Sequence, residues 1–523
     1  MLAKILSGAV QGVDGYLIEI EVQMGFGVVS THMVGLPDVA VREATFRVHS
    51  ALVECGFNWP PRPITINLAP ANVRKDGSAY DLPIAMALLA ADRIIRMADR
   101  APWVLADTLV VGELSLSGEV RPVRGVLALA VAAREQGLKA VVVPRANAAE
   151  ALLVEGIEVF AADHLCQLID HASGSATLAP LVRSPLRLSA RPNYSQDLAD
   201  VMGQVRAKRA MEVAAAGGHN ILLAGPPGSG KTMLTRRLPT LLPALSFEEA
   251  LEVTTVYSVA GLLNQEGLIR ERPFRAPHHT ISDVGLIGGG SPAPKPGEVS
   301  LAHHGVLFLD ELPEFRRPVL ETLRQPLEDH FVSITRRLVT VEYPTRVMLV
   351  AAMNSCPCGY MGSVKRACTC RVDQVERYRS RISGPLLDRI DIQVEVPDVQ
   401  YNELRGSVRG ESSAQVRARV EAARAIQRER LLDTGLHSNA QLRPGEMRVY
   451  CQVDELGHKL LERVVDKLGM SARAHDRILK VARTIADLAG AERIGIDHLS
   501  EAVSYRCLDR ALTPVLEAQQ RTG

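Results

Sequence analysis

Hydrophobic and polar positions alternate in blocks along the first third of the chain. Strand-like runs at Leu17-Ile-Glu-Ile-Glu-Val22, Ile64-Thr-Ile-Asn-Leu68, Thr108-Leu-Val-Val111 and Ala140-Val-Val-Val143 are interleaved with helix-spaced runs over 41–55, 82–91 and 126–136. Period-two alternation puts one face of a strand on a core, and three-to-four spacing does the same for a helix, so residues 1–178 predict an α/β or α+β unit. The stretch 179–192, rich in Pro and Arg, breaks both periods and marks a linker over 179–194. A second α/β unit is predicted over 195–400. From 401 to 523 the pattern turns helical, with apolar spacing of three and four over 412–432 and 455–468, and a further helix over 471–489 that opens with Ser471 as N-cap.

A chain of 523 residues exceeds what one core supports, which agrees with these three units. The longest apolar runs, such as 82–91, fall well short of the roughly 20 residues needed to cross a bilayer, and the start of the chain does not build a signal-peptide core before Asp14. A soluble, cytoplasmic protein with no membrane partner is expected. Lys and Arg number 60 against 59 Asp and Glu, a net charge of +1, so any polyanion must be gripped by local patches rather than by a global field. Eight cysteines divide into four scattered (Cys55, Cys166, Cys451, Cys507) and four clustered, a distribution unlike a disulfide framework.

The chemistry is concentrated in the middle unit. Gly225-Pro226-Pro227-Gly228-Ser229-Gly230-Lys231-Thr232 follows the apolar run Ile221-Leu-Leu223 and precedes a helix-compatible segment, the strand–loop–helix setting of a phosphate cradle. The glycines let successive N–H groups face the phosphates, Lys231 reaches the β and γ oxygens, and Thr232 offers a hydroxyl to Mg²⁺. An isolated Gly-rich turn predicts nothing downstream, whereas an ATPase needs a metal-holding acid at the end of a second buried strand. Gly305-Val-Leu-Phe-Leu-Asp310-Glu311 supplies it, with Asp310 for Mg²⁺ and Glu311 to polarise the attacking water.

Two further patterns stand out. Residues 331–343 alternate apolar and polar on both sides of Arg336-Arg337, which reads as a β-hairpin with a basic tip. Cys356-Pro-Cys358 and Cys368-Thr-Cys370 are two C-x-C pairs in a loop carrying Gly359 and Gly362, able to converge on one ion. Structural Zn²⁺ is the expectation, with free thiols and an iron–sulfur cluster as the alternatives. Four thiolates leave no open coordination position, so such a metal would stiffen the loop rather than catalyse.

Asp200-Val-Met-Gly-Gln204, Ala207-Lys-Arg-Ala-Met211, His219-Asn-Ile-Leu-Leu223, Arg272-Pro-Phe-Arg-Ala-Pro-His-His279, Pro296-Gly-Glu-Val-Ser-Leu-Ala-His303 and Ser383-Gly-Pro-Leu-Leu-Asp-Arg-Ile-Asp391 resemble the ComM/YifB family, AAA+ ATPases of the magnesium-chelatase-like group. The resemblance covers nearly the whole chain. It implies a Lon-protease-like amino-terminal unit with the ribosomal S5 domain 2-like fold, a P-loop AAA+ core with a parallel sheet, and a carboxy-terminal helical lid. The implied assembly is a hexameric ring, and the implied activity is ATP-driven migration of branched DNA in recombination and natural transformation. Carried over by position, Asn354 is the sensor asparagine, Arg389 the arginine finger reaching a neighbour's nucleotide, and Arg473 the second-sensor arginine. Arg336 and Arg337 would project into the central channel and grip single- or double-stranded DNA by its phosphates.

Lys75-Asp-Gly-Ser78-Ala and the stretch from Gly112 to Pro144 resemble the Lon peptidase, which works through a Ser–Lys dyad. Leu127 and its apolar neighbours stand where the lysine would be, and no lysine occurs between Lys75 and Lys139. A peptidase relic with a scaffolding or DNA-binding role is expected, and no protease substrate. Two rivals remain open: a magnesium-chelatase-like motor that remodels a partner for metal insertion, and an ATP-dependent protease.

Overall fold

The computed structural model describes residues 2–71, 75–95, 107–183, 194–263, 267–290, 294–336, 339–399, 410–468 and 471–506. Arg337, Cys507, the Arg336 side chain and linker residues 184–193 lie outside the described residues.

The amino-terminal alternation folds into a seven-stranded sheet in the order Thr31–Val34, Ile64–Ala69, Asp14–Met24, Leu2–Gln11, Thr108–Val110, Ala140–Pro144, Glu158–Ala162. Leu2–Gln11 and Asp14–Met24 form a long antiparallel hairpin, and the last three strands run parallel. Ala140–Pro144 is buried along its whole length, which is why it reads as a continuous apolar run rather than an alternating one. Helices Val39–Glu54 and Asp81–Ala91 cover one face of the sheet and Val126–Glu135 the other. The strand Glu158–Ala162 and the helix Leu165–Ser173 extend the unit beyond the elements read from the sequence.

The second sheet is wholly parallel, in the order Phe274–Arg275, Val306–Leu309, Met348–Met353, Ile221–Ala224, Ile392–Glu395. Its strands carry alternate residues into two cores, one shared with the helix Val205–Gly217 and the carboxy-terminal helices, the other with Val299, Leu312, Leu320 and Leu386. The predicted hairpin forms from Phe331–Arg336 and Val339–Pro344. Val332, Ile334, Val341 and Tyr343 bury its inner face beside Val13 of the first hairpin's turn. The close approach is fixed at Gly12, where a Cβ would meet the Glu342 carbonyl at 2.9 Å and φ is +67°.

Ser413–Leu431 and Ala472–Leu488 are capped by Ser412 and Ser471, whose side chains accept from the N–H groups of Gln415 and Ala474. Both helices pack against Val205–Gly217, where Arg424 and Gln427 donate to the carbonyls of Ala215 and Ala216. The helix Phe247–Ala260 ties the two sheets together: Gly125 N donates to the Ser258 carbonyl, and the Ser258 hydroxyl donates to Glu150 at 2.5 Å.

Candidate functional site

The buried strand Ile221–Ala224 ends at Gly225, where a side chain would meet the Val396 carbonyl at 2.1 Å, so glycine is the residue that lets the loop leave the sheet there. Gly228 and Gly230 adopt φ of +76° and +93° and face open space, which leaves a cradle of backbone groups before the helix Lys231–Arg237. Lys231 is buried and donates to the carbonyls of Gly225 and Pro226 at 2.7 and 2.9 Å, with Asn354 Oδ1 at 3.4 Å. Burial pushes its pKa down, against the pull of Asp310, Glu311 and Asp398. An incoming polyanion therefore meets an ammonium whose partners are weak neutral carbonyls. The buried Ser229 hydroxyl has no hydrogen-bond partner among the described residues. These features fit a triphosphate.

Sheet order brings the rest of the site together. Val306–Leu309 and Ile221–Ala224 flank Met348–Met353, so Asp310, Asn354 and the phosphate loop share the carboxyl end of the sheet, where α/β proteins bind ligands. Thr232 Oγ1 donates to Asp310 Oδ2 at 2.8 Å, the pair that would hold Mg²⁺ between them. Glu311 is exposed, in a left-handed conformation (φ 53°), with His279 Nδ1 at 3.6 Å from its carboxylate. Sequence reasoning assigned no role to His279, Asp398 or Gln204. Gln204, itself at positive φ (53°), donates to the carbonyls of Ser229 at 3.1 Å and Pro397 at 2.7 Å and so braces the loop from below. Only the folded chain joins positions 204, 229 and 397.

Arg389 and Arg473 lie elsewhere. Both line a cavity of about 1060 Å³ together with Asn220, Gly305, Met348 and Asp391, residues at the amino ends of the parallel strands. Arg389 is nearly buried, donating to the carbonyls of Arg324 (3.1 Å) and Pro385 (2.7 Å) and pairing with Glu328. Beside it Asp391 is buried against His219 and Arg477. Burial alone would raise the Asp391 pKa, but Arg477 and His219 outweigh it and hold the carboxylate well below its usual range.

The four clustered cysteines converge. Sγ separations are 3.4 Å (Cys356 to Cys358), 3.6 Å (Cys356 to Cys368) and 3.7 Å (Cys358 to Cys368), and all four ligand atoms fall within 4.8 Å of one another. A tetrahedral ion with bonds of about 2.3 Å places its sulfurs about 3.8 Å apart. Backbone N–H groups of Met361, Cys358 and Cys370 donate to Cys356, Cys370 and Cys368, which favours thiolates. The donor set fits Zn²⁺. Of the cysteines read as scattered, Cys55 and Cys166 are instead brought into contact by the fold.

In the amino-terminal unit, Ser78 donates to Glu113 and Lys75 to the Pro70 carbonyl, while Leu127 is fully buried. Ser78 and Lys75 thus point to different partners. No helix among the described residues is long and apolar enough to cross a membrane.

The family described as magnesium chelatase, subunit ChlI, matches residues 197–404, and two companion families of the same subunit match 19–147 and 410–506. YifB of Escherichia coli K12 is 44% identical over 514 residues, covering 98% of each chain. The competence protein ComM of Haemophilus influenzae is 44% identical over 518 residues, again 98% of each. Lon protease 2 of Bacillus subtilis is 29% identical over 155 residues, 28% of this chain and 27% of its own. The chain belongs to the ComM/YifB family of magnesium-chelatase-like AAA+ proteins.

Proposed function

We propose that the protein is an ATPase that works as a homo-hexameric ring on branched DNA, driving branch migration in recombination and natural transformation from the cytoplasm. Each ATP is held by one subunit and completed by the next. Gly225–Thr232 would cradle the phosphates and Lys231 neutralise them, and Thr232 and Asp310 would hold Mg²⁺, which would supply further charge neutralisation to the phosphates. Glu311 orients the attacking water and Asn354, in reach of Lys231, senses the γ-phosphate.

The observation that carries the shared-site reading is the separation of the arginines from the phosphate loop. Arg389 and Arg473 line a cavity at the amino ends of strands whose carboxyl ends carry Gly225–Thr232, Asp310 and Asn354. Even a four-residue strand spans about 13 Å, so neither arginine serves the nucleotide of its own chain, and a neighbour's nucleotide is the alternative. The likeness to a competence protein supports DNA as the substrate, and Arg336 and Arg337 of the hairpin are the proposed phosphate contacts. The amino-terminal unit is proposed to be Lon-like without peptidase activity, and the cysteine loop to hold structural Zn²⁺.

The family's magnesium-chelatase description favours one second reading, a motor that remodels a partner for metal insertion. ATP turnover separates the two. Stimulation by four-way or forked DNA supports the DNA motor, and turnover that ignores DNA but responds to a chelatase-type partner rejects it.

A further inference from the structure

Cys55 and Cys166 are 111 positions apart in sequence, yet their Sγ atoms approach to 2.6 Å. Cys55 follows the helix Val39–Glu54 as its C-cap, and Cys166 lies in the first turn of Leu165–Ser173. Both are half-buried free thiols, and His164 beside them completes a group whose ligand atoms fall within 4.8 Å of one another.

The imidazole rules out the metal use that this grouping suggests. Cys166 N–H donates to His164 Nδ1 at 3.2 Å, so that nitrogen carries the lone pair, and Nε2 then holds the proton that it gives to the Ser117 carbonyl at 2.9 Å. No ring lone pair remains for a cation. Sulfur spacing agrees, because two sulfurs at about 2.3 Å from one ion in a tetrahedron stand about 3.8 Å apart, as in the Cys356 cluster and unlike here.

We propose that Cys55 and Cys166 form a reversible disulfide, a redox-modification site whose oxidant is a hydroperoxide. Burial and the neighbouring Cys166 thiol push Cys55 up to about 12, which makes Cys55 the poorer first nucleophile. The Cys166 sulfur attacks one peroxide oxygen and becomes a sulfenic acid, the O–O bond breaks, and the leaving hydroxide takes the Cys166 thiol proton to depart as water. The Cys55 sulfur then attacks the Cys166 sulfur, the S–OH bond breaks, and the departing hydroxyl takes the Cys55 proton. Two thiols lose two electrons and hydrogen peroxide becomes two waters. The bond would staple the carboxyl end of one helix to the start of another across the turn at Gly118, where a Cβ would meet His164 Cε1 at 2.9 Å and Cys55 Sγ at 3.4 Å.

The test treats the reduced full chain with hydrogen peroxide, alkylates the remaining thiols and maps peptides by mass spectrometry. A Cys55–Cys166 cross-linked peptide that disappears with dithiothreitol is expected. Closing so long a loop should raise the melting temperature by several degrees. Cys55→Ser and Cys166→Ser should each lose the cross-link and the melting shift while keeping ATP turnover and metal content. Full alkylation of both cysteines after peroxide would overturn the proposal, as would loss of a metal ion from Cys166→Ser.

Discussion

Gly359 of the cysteine loop lies against Pro227 of the phosphate loop: a Cβ at position 359 would meet Pro227 Cγ at 2.8 Å and Cδ at 2.9 Å. Gly359 also sits at φ +86°, in the left-handed region that a branched side chain resists. The cysteine loop is thus a wall of the proposed nucleotide site. Gly359→Val should weaken binding of a fluorescent ATP analogue by tenfold or more while the melting temperature falls only modestly. An unchanged dissociation constant would mean that the contact does not shape the cradle.

The same contact would link a metal in the cysteine loop to the proposed nucleotide site. Elemental analysis should return one zinc per chain, and Cys358→Ser should remove it. Burial would raise the Cys358 thiol, but the backbone N–H groups of Tyr360 and Thr369 and the neighbouring Cys356 and Cys370 thiols oppose it and leave it below its ordinary range. Chelation should lower ATP-analogue affinity in parallel with zinc loss. Zinc-free protein with full affinity would separate the two.

Stability should fall on mild acidification. Burial, opposed by Glu252, pushes His303 down to about 4 from an ordinary value near 6.5. Its Nδ1 accepts from Arg346 N–H, so the neutral ring donates from Nε2 to Glu252 at 2.9 Å. Above about pH 6.5 both folded and unfolded chains leave this ring neutral. As pH drops toward 4 the unfolded chain takes up a proton that the folded chain refuses, which removes up to about 3 kcal/mol. Burial lowers His219 as well, with the same sign. Denaturant midpoints measured between pH 7 and 4.5 should decline, and less steeply in His303→Gln.

The hairpin is testable by salt. Arg336→Ala combined with Arg337→Ala should weaken DNA binding about equally for all sequences and reduce the slope of log K against log salt by about 2 per engaged hairpin. A change in sequence preference at constant slope would contradict phosphate gripping.

The two nucleotide motifs, the hairpin and the cysteine loop were legible in the sequence because each is local: its residues sit within a few positions and carry their own period or spacing. Ser471 was readable as a cap for the same reason, whereas the Ser412 cap emerged only in the folded chain. What the sequence hid is long-range. Gln204 meets Ser229 and Pro397 only after strand Ile392–Glu395 pairs beside Ile221–Ala224, and its positive φ has no signature in a glutamine. Cys55 and Cys166 looked scattered because nothing local joins a helix end to a helix start 111 residues away. The helix Asp81–Ala91 was visible as an apolar run, but an almost wholly buried helix has no polar face from which its neighbours could be read.

Arg389 packs beneath the sheet against Glu328, away from its own Lys231, so the central claim is that catalysis needs two chains. The direct measurement mixes two inactive variants. Lys231→Ala should bind no ATP analogue, and Arg389→Ala should bind it normally while turnover falls by about 10³-fold or more. Mixed in equal amounts with branched DNA, they should regain a substantial part of wild-type turnover, because some junctions pair an intact phosphate loop with an intact arginine. Mixtures no more active than the separate variants, or full turnover by Arg389→Ala alone, would contradict the account.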